Sequence, residues 1–178
     1  MPTRLSYEES CKLLQHDQWL EQGECPPLKP KPPAYDDEIL GLSFFRTWLD
    51  GLKGANFQNL TLPRTYFGRS QISDISFYNT DLSESVANWN DFADVDFSSA
   101  DLSRLDLRGN SIVRTKFVNA LLIDADLRCC SFENCDFTDA NLTRTKLTRE
   151  TGALLNLSEA QKGVVDWHDE DGDDPDGG

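Results

Sequence analysis

The stretch DFADVDFSSADLSRLDL, residues 91–107, sets an aspartate directly before a large apolar residue four times, at Asp91-Phe92, Asp96-Phe97, Asp101-Leu102 and Asp106-Leu107. The interval is five each time. An isolated strand returns to its buried side every second residue and an amphipathic helix about every 3.6 residues, so neither produces this spacing.

Extended in both directions, the same frame gives large apolar centres at five-residue steps from Leu52 to Leu147, with Ala87 the one small residue among them. Two residues before each centre the side chain is mostly small or β-branched, as at Ala100, Thr115, Ala120, Ala125, Cys130 and Cys135. A second period lies above the first. Every fourth centre matches: Phe57, Phe77, Phe97, Phe117 and Phe137 form a first series, and Leu62, Leu82, Leu102, Leu122 and Leu142 a second. Phe67, Ala87, Leu107, Leu127 and Leu147 form the third series, and Leu52, Ile72, Phe92, Ile112 and Phe132 the fourth.

A chain that makes a short extended side, turns a corner and closes one coil in four sides satisfies both periods. Coils stacked at the spacing of hydrogen-bonded strands, about 4.8 Å, would give a rod of roughly 24 Å for five coils. The Phe and Leu series then become internal ladders and form the predicted core. The fold class read from this pattern is an all-β solenoid.

The units Ala100-Asp101-Leu102-Ser103-Arg104 and Ala140-Asn141-Leu142-Thr143-Arg144 resemble the A(D/N)LXX pattern of the pentapeptide-repeat family. The resemblance implies a right-handed quadrilateral β-helix, here of about five coils over residues 50–149. It also implies a bacterial source. Members that protect DNA gyrase from quinolones are understood as rods imitating DNA in size, shape and charge, which makes gyrase a candidate partner through the resemblance alone.

A β-helix has open strand edges at both ends, and the flanks are suited to cover them. Residues 1–49 read as an N-terminal helix, a Pro-rich connector and a cap. Ser6 and Glu9 stand in capping-box spacing before a helix over residues 7–20, PPLKPKPP at 26–33 breaks regular structure, and Phe44, Phe45 and Trp48 are placed to plug the first coil. Residues 150–165 read as a C-terminal cap, with Ser158 and Gln161 opening a short helix to about Val165. Residues 166–178 read as an acidic disordered tail.

Composition limits the chemistry. Formal charge is −14, which argues against direct binding to nucleic acid or an anionic membrane. MPTRLSYEES lacks an apolar signal core and no apolar run is long enough to span a bilayer, so a cytoplasmic protein is expected. The two histidines, His16 and His168, both lie outside the repeat, and no catalytic dyad can be assembled within it. Cys130 and Cys135 fall at inward places and read as core filling rather than metal ligands, and no cofactor motif appears. The reading is non-enzymatic, with no catalytic, metal or cofactor residues.

What remains is surface. Acidic and basic residues number 8 and 5 over residues 1–49, 14 and 11 over 50–149, and 9 and 1 over 150–178, so the repeat itself is nearly balanced. The third series carries Arg69, Arg108, Arg128, Lys146 and Arg149 against Asp106 and Asp126, a stripe that a duplex mimic would not show. Trp89, and the outward Val118, Leu121 and Ile123, add apolar surface that either lies beneath the N-terminal segment or forms a partner patch. With Arg69, Arg108, Arg128 and Arg149 they form the candidate partner surface. The function expected is a binding module presenting one wall to a macromolecular partner, a protein. Gyrase modulation is the alternative, and an immunity or antitoxin role a further one. Oligomeric state is open.

Overall fold

Each five-residue unit makes one side of a coil, and four sides stack into four continuous walls. The computed structural model describes residues 2–16, 43–45, 48–50 and 57–169. On the third wall, β1 (Ser43–Phe45), β3 (Tyr66–Gly68) and β5 (Val86–Asn88) pair in parallel. Bridges Val86–Asp106, Asp106–Asp126 and Asp126–Lys146 carry that wall up to β9 (Lys146–Thr148) and then β10 (Asp166–His168). On the fourth wall, β2 (Trp48–Asp50), β4 (Gln71–Ser73), β6 (Asp91–Ala93), β7 (Ser111–Val113) and β8 (Ser131–Glu133) form a five-stranded parallel sheet. The first and second walls are held by bridges such as Ser76–Asp96 and Asp101–Leu121. The fold is a β-solenoid, as the two sequence periods require.

One unit shows why the chain repeats at five. Around Leu102, Ala100 N–H donates to Phe97 O across the turn (3.0 Å), Asp101 N–H to Thr80 O in the preceding coil (2.9 Å), and Leu102 N–H to Leu121 O in the next (2.7 Å). Arg104 N–H reaches Ile123 O (2.8 Å). Ser103 N–H has no ladder partner, and the Asp101 carboxylate accepts it at 3.0 Å. Asp96, Asp81 and Asp136 do the same for Ser98, Ser83 and Thr138. On the first, second and third walls the aspartate before a centre is therefore an Asx cap on a backbone donor that the ladder leaves over, and more than a solvent-facing residue.

The residue two after each centre turns the corner with positive φ, between 48° and 60° across the non-glycine cases. Arginine, serine and tryptophan occupy this left-handed region as well as asparagine and aspartate, because ladder bonds on both sides fix the backbone there. In the unit of Leu102 the corner carbonyl, Arg104 O, accepts no hydrogen bond among the described residues.

Inside, the first-series phenylalanines and second-series leucines are all buried, while Phe132 of the fourth series is only partly buried. Phe77, Phe97, Phe117 and Phe137 stack with centroids 5.1, 5.4 and 4.6 Å apart and planes within 18°, and Phe57 tilts onto Phe77 at 4.9 Å. Phe67 and Phe92 meet this stack edge-on. Stacking at strand spacing lets each ring bury against two others, a geometry favourable for aromatic pairs.

The ends differ from expectation in four respects. Residues 43–45 and 48–50, read from sequence as part of a cap, form β1 and β2, which extend two walls downward. The partner of Ile72 on its wall is Leu49 and not Leu52, because register is 23 residues up to Asp50 and 20 from Thr61 onward. The C-terminal helix α3 (Glu159–Lys162) has the predicted Ser158–Gln161 capping box but stops at Lys162, and a helix not foreseen, α2 (Arg149–Leu154), precedes it with Thr148 as N-cap. Asp166–His168, assigned from sequence to the tail, pair as β10 because the exposed edge of β9 offers ladder bonds and Trp167 packs against Gly152. Residues 170–178 lie outside the described residues.

At the other end α1 (Tyr7–His16) starts at the predicted capping box, Glu9 N–H donating to Ser6 Oγ and Ser6 N–H to Glu9 Oε2 (2.9 Å). Residues 17–20 of the expected helix and the connector at 26–33 lie outside the described residues. Fully buried Ser10 accepts Thr61 N–H at 2.9 Å, supplying the bond that a lower coil would otherwise give.

Candidate partner-binding surface

Outward side chains repeat at the same height in every coil, so each wall and corner is a ladder of its own. The second corner reads Arg64, Glu84, Arg104, Asp124, Arg144, alternating in sign. Arg64 Nε donates to Glu84 at 2.9 Å, Arg104 Nη2 donates to the same carboxylate, and Arg144 Nε reaches Asp124 at 2.6 Å. Hydrogen bonds from Arg64 and Arg104 hold the Glu84 carboxyl below its usual range, and Arg144 does so for Asp124. At the fourth corner Arg114 grips Asp94 through two bonds of 2.7 and 2.6 Å. These exposed pairs contribute little individually, yet they cancel the corner's field.

The third wall does not present its arginines as an open cationic stripe. Arg108 forks onto Asp106 (2.9 and 2.8 Å) and lies 3.8 Å from Asp126, while Arg128 forks onto Asp126 (2.9 and 2.7 Å). Burial works against ionisation of Asp126, but the Arg128 side-chain and backbone donors outweigh it and keep the carboxyl below its ordinary value. Arg149 sits over the Trp167 ring at 5.9 Å and beside Asp169 at 3.5 Å. Arg69 is exposed at the third corner, one coil below Trp89, whose indole lies against Gly109.

Val118, Leu121 and Ile123 come together across the first corner, on a single coil. Leu121 is 38% exposed, and the coils above and below carry Ser98, Asp101, Ser103, Thr138, Asn141 and Thr143 at the equivalent outward places. The described N-terminal segment bonds lower down, to Asn59, Thr61, Asn79 and Ser99. The candidate residues thus divide into three groups: the paired Arg108 and Arg128, the third corner and its upper end with Arg69, Trp89 and Arg149, and the apolar rung.

Cys130 and Cys135 are core elements. Cys130 donates its thiol to Leu107 O at 2.9 Å and burial pushes its pKa up to about 12; Cys135 bonds Ile112 O at 3.3 Å and is raised for the same reason. Among the described residues no group of His, Cys, Asp and Glu could hold a metal ion. His168 faces Asp166 at 3.3 Å at the C-terminal end, away from the apolar rung.

A family model described as pentapeptide repeats matches in eight copies, over residues 70–109, 91–128 and 115–149. Residues 70–149 are pentapeptide repeats of this family. Solved structures similar to it include HetL, involved in heterocyst differentiation regulation in the cyanobacterium Nostoc sp. strain PCC 7120, at 18% identity and TM-score 0.48. That likeness covers 58% of this chain, which spans 46% of HetL. Rfr23 from the cyanobacterium Cyanothece 51142 matches at 18% identity over 60% and 81% of the two chains, TM-score 0.35. QnrB1, a plasmid-mediated fluoroquinolone resistance protein, matches at 18% identity over 72% and 73%, TM-score 0.33. Among curated proteins no sequence matches the chain.

Sequence reasoning missed the role of Arg4. Its guanidinium bonds the corner carbonyls of Asn79 (2.8 Å) and Ser99 (3.5 Å), strapping residues 2–6 of this repeat protein along its first corner. A lone arginine before a capping box was the available signal, and nothing in its spacing connects it to residues 75 and 95 positions away.

Proposed function

We propose that this pentapeptide-repeat protein is a non-enzymatic, cytoplasmic binding module whose rigid tube presents one face to a protein partner. The observation that carries the reading is the apolar rung of Val118, Leu121 and Ile123, with Leu121 38% exposed, between coils that carry Ser98, Asp101, Ser103, Thr138, Asn141 and Thr143 at the equivalent places. A cluster of this kind on a polar solenoid is the sort of surface that association covers. In support, no helix among the described residues is long and apolar enough to cross a membrane. The test is affinity capture from the source organism with wild type and Leu121→Asp. A protein retained by the first and lost by the second supports the reading, and identical profiles count against it.

The overall charge of −14 favours a second reading, a DNA-like modulator of gyrase. Against it stand the alternating second corner and the Asp106-Arg108-Asp126-Arg128 network, which break any continuous anionic stripe. A supercoiling assay with and without a quinolone discriminates: unchanged gyrase activity across a wide protein concentration range removes this reading.

A further inference from the structure

The N-terminal segment shows what chemistry the first corner accepts. Five corner carbonyls climb it, at Asn59, Asn79, Ser99, Asn119 and Asp139. The segment takes the lower three: Leu5 N–H donates to Asn59 O at 2.8 Å, and the Arg4 guanidinium donates to Asn79 O and Ser99 O on successive coils. Among the described residues no donor reaches the carbonyls of Asn119 and Asp139.

The coil of Asn119 departs from the repeat in a second, independent way. In the coils of Phe77, Phe97 and Phe137 on the first wall and of Leu82, Leu102 and Leu142 on the second, the residue after the centre donates its N–H to the side chain two positions earlier, as in Tyr78 to Ser76, Ser98 to Asp96, Thr138 to Asp136, Ser83 to Asp81, Ser103 to Asp101 and Thr143 to Asn141. Lys116 and Leu121 stand where those acceptors should be. The N–H groups of Val118 and Ile123 therefore have no cap among the described residues. One rung thus combines two uncapped donors, an unused carbonyl at Asn119, another at Asp139 one coil higher, and the apolar side chains Val118, Leu121 and Ile123. Around it lie Asp96, Asp101, Asp136 and Asp139 against Lys116, a local excess of acid, with Asp139 in no ion pair among the described residues.

We propose that this upper part of the first corner docks an extended segment of a partner protein that carries an arginine next to an aliphatic residue. The arginine bridges the Asn119 and Asp139 carbonyls as Arg4 bridges Asn79 and Ser99, the aliphatic side chain lies on Leu121, and the peptide backbone uses the Val118 and Ile123 donors. Adjacent coils are about 4.8 Å apart, so the step from one rung to the next spans roughly one and a half extended residues. The site rests on the binding-module reading and specifies its partner's chemistry.

The probe is a fluorescein-labelled peptide, Gly-Gly-Thr-Arg-Leu-Ser-Gly-Gly, titrated by anisotropy against the full chain. Saturable binding is expected, weakened at least about fivefold by Leu121→Asp, by Asp139→Lys and by citrulline in place of the peptide arginine. Leu121→Asp restores the repeat's own acceptor for Ile123 N–H, so its melting temperature should equal or exceed that of wild type; a fall overturns the missing-cap argument. No saturation up to about 1 mM peptide overturns the proposal. Binding untouched by Leu121→Asp, the result if the peptide only displaces the protein's own segment, overturns it too, as does loss on Asp139→Lys alone, which reports charge attraction only. Should the peptide fail while affinity capture still yields a Leu121-dependent partner, the binding-module reading stands and the arginine chemistry falls.

Discussion

The indole of Trp89 lies on Gly109, one coil further along the same corner, where a Cβ would come within 3.0 Å of the ring. Gly109 also has φ +74°, in the left-handed region. Gly109→Ala should therefore lift the indole into water and strain the corner, costing more than about 1 kcal/mol. Urea denaturation reads the loss. The change in tryptophan emission should vanish in a Trp89→Phe background, and an unaltered spectrum would contradict the packing.

The phenylalanine stack predicts unequal consequences for truncation and for charge. Phe117 has no exposure and neighbours at 5.4 and 4.6 Å, so Phe117→Ala should cost about 3 to 5 kcal/mol with the tube retained. Phe97→Asp puts a carboxylate among rings without a partner and should abolish cooperative thermal unfolding, monitored by circular dichroism. Retention of the wild-type melting temperature by Phe97→Asp would be incompatible with the stack.

Ala87 looks like a defect in a series of large centres, and filling it looks stabilising. Its surroundings say otherwise: Phe67, Phe77, Phe92, Phe97, Leu82, Leu105 and Leu107 close in and leave a cavity of about 10 Å³, scarcely one water's room. Ala87→Leu should overpack the tube and destabilise it by about 1 to 3 kcal/mol. A higher denaturation midpoint for this variant would show that the rings can yield.

Acid should loosen the protein through its arginine-paired carboxylates. Glu84, Asp94, Asp124 and Asp126 are all held below their ordinary values of 4.5 and 3.8. A carboxyl lowered on folding contributes stability that is fully present above the unfolded value and is lost as pH falls through the folded one. The denaturation midpoint should thus be insensitive to these groups above about pH 5 and decline progressively below about pH 4. Arg128→Gln should flatten that decline by removing the main donor to Asp126.

The five-residue frame was legible because every coil repeats the same backbone accounting, and Phe57 to Leu147 obey it without a break. The ends were less legible. Leu52 continues the frame on paper, yet Leu49 occupies the rung below Ile72, since an aliphatic residue three places away satisfies the same pattern. Asp166-Trp167-His168 looked like the start of an acidic tail because its strand character comes from the waiting edge of β9 and not from its own composition. The Arg108 and Arg128 stripe was visible as charge, but whether it faced a partner or its own aspartates depended on side-chain geometry.

By itself the sequence determined the four-sided coil, the stacked phenylalanine interior and the capping boxes at Ser6 and Ser158. All of these follow from local spacing, which the chain carries wherever it goes. Only the tertiary structure decided that residues 2–6 lie along the first corner and that, among the described residues, its upper carbonyls take no donor and the lysine and leucine at 116 and 121 leave two backbone donors uncapped. Those are relations between groups far apart in the chain or between a side chain and a backbone atom, and no periodicity of residue types encodes them.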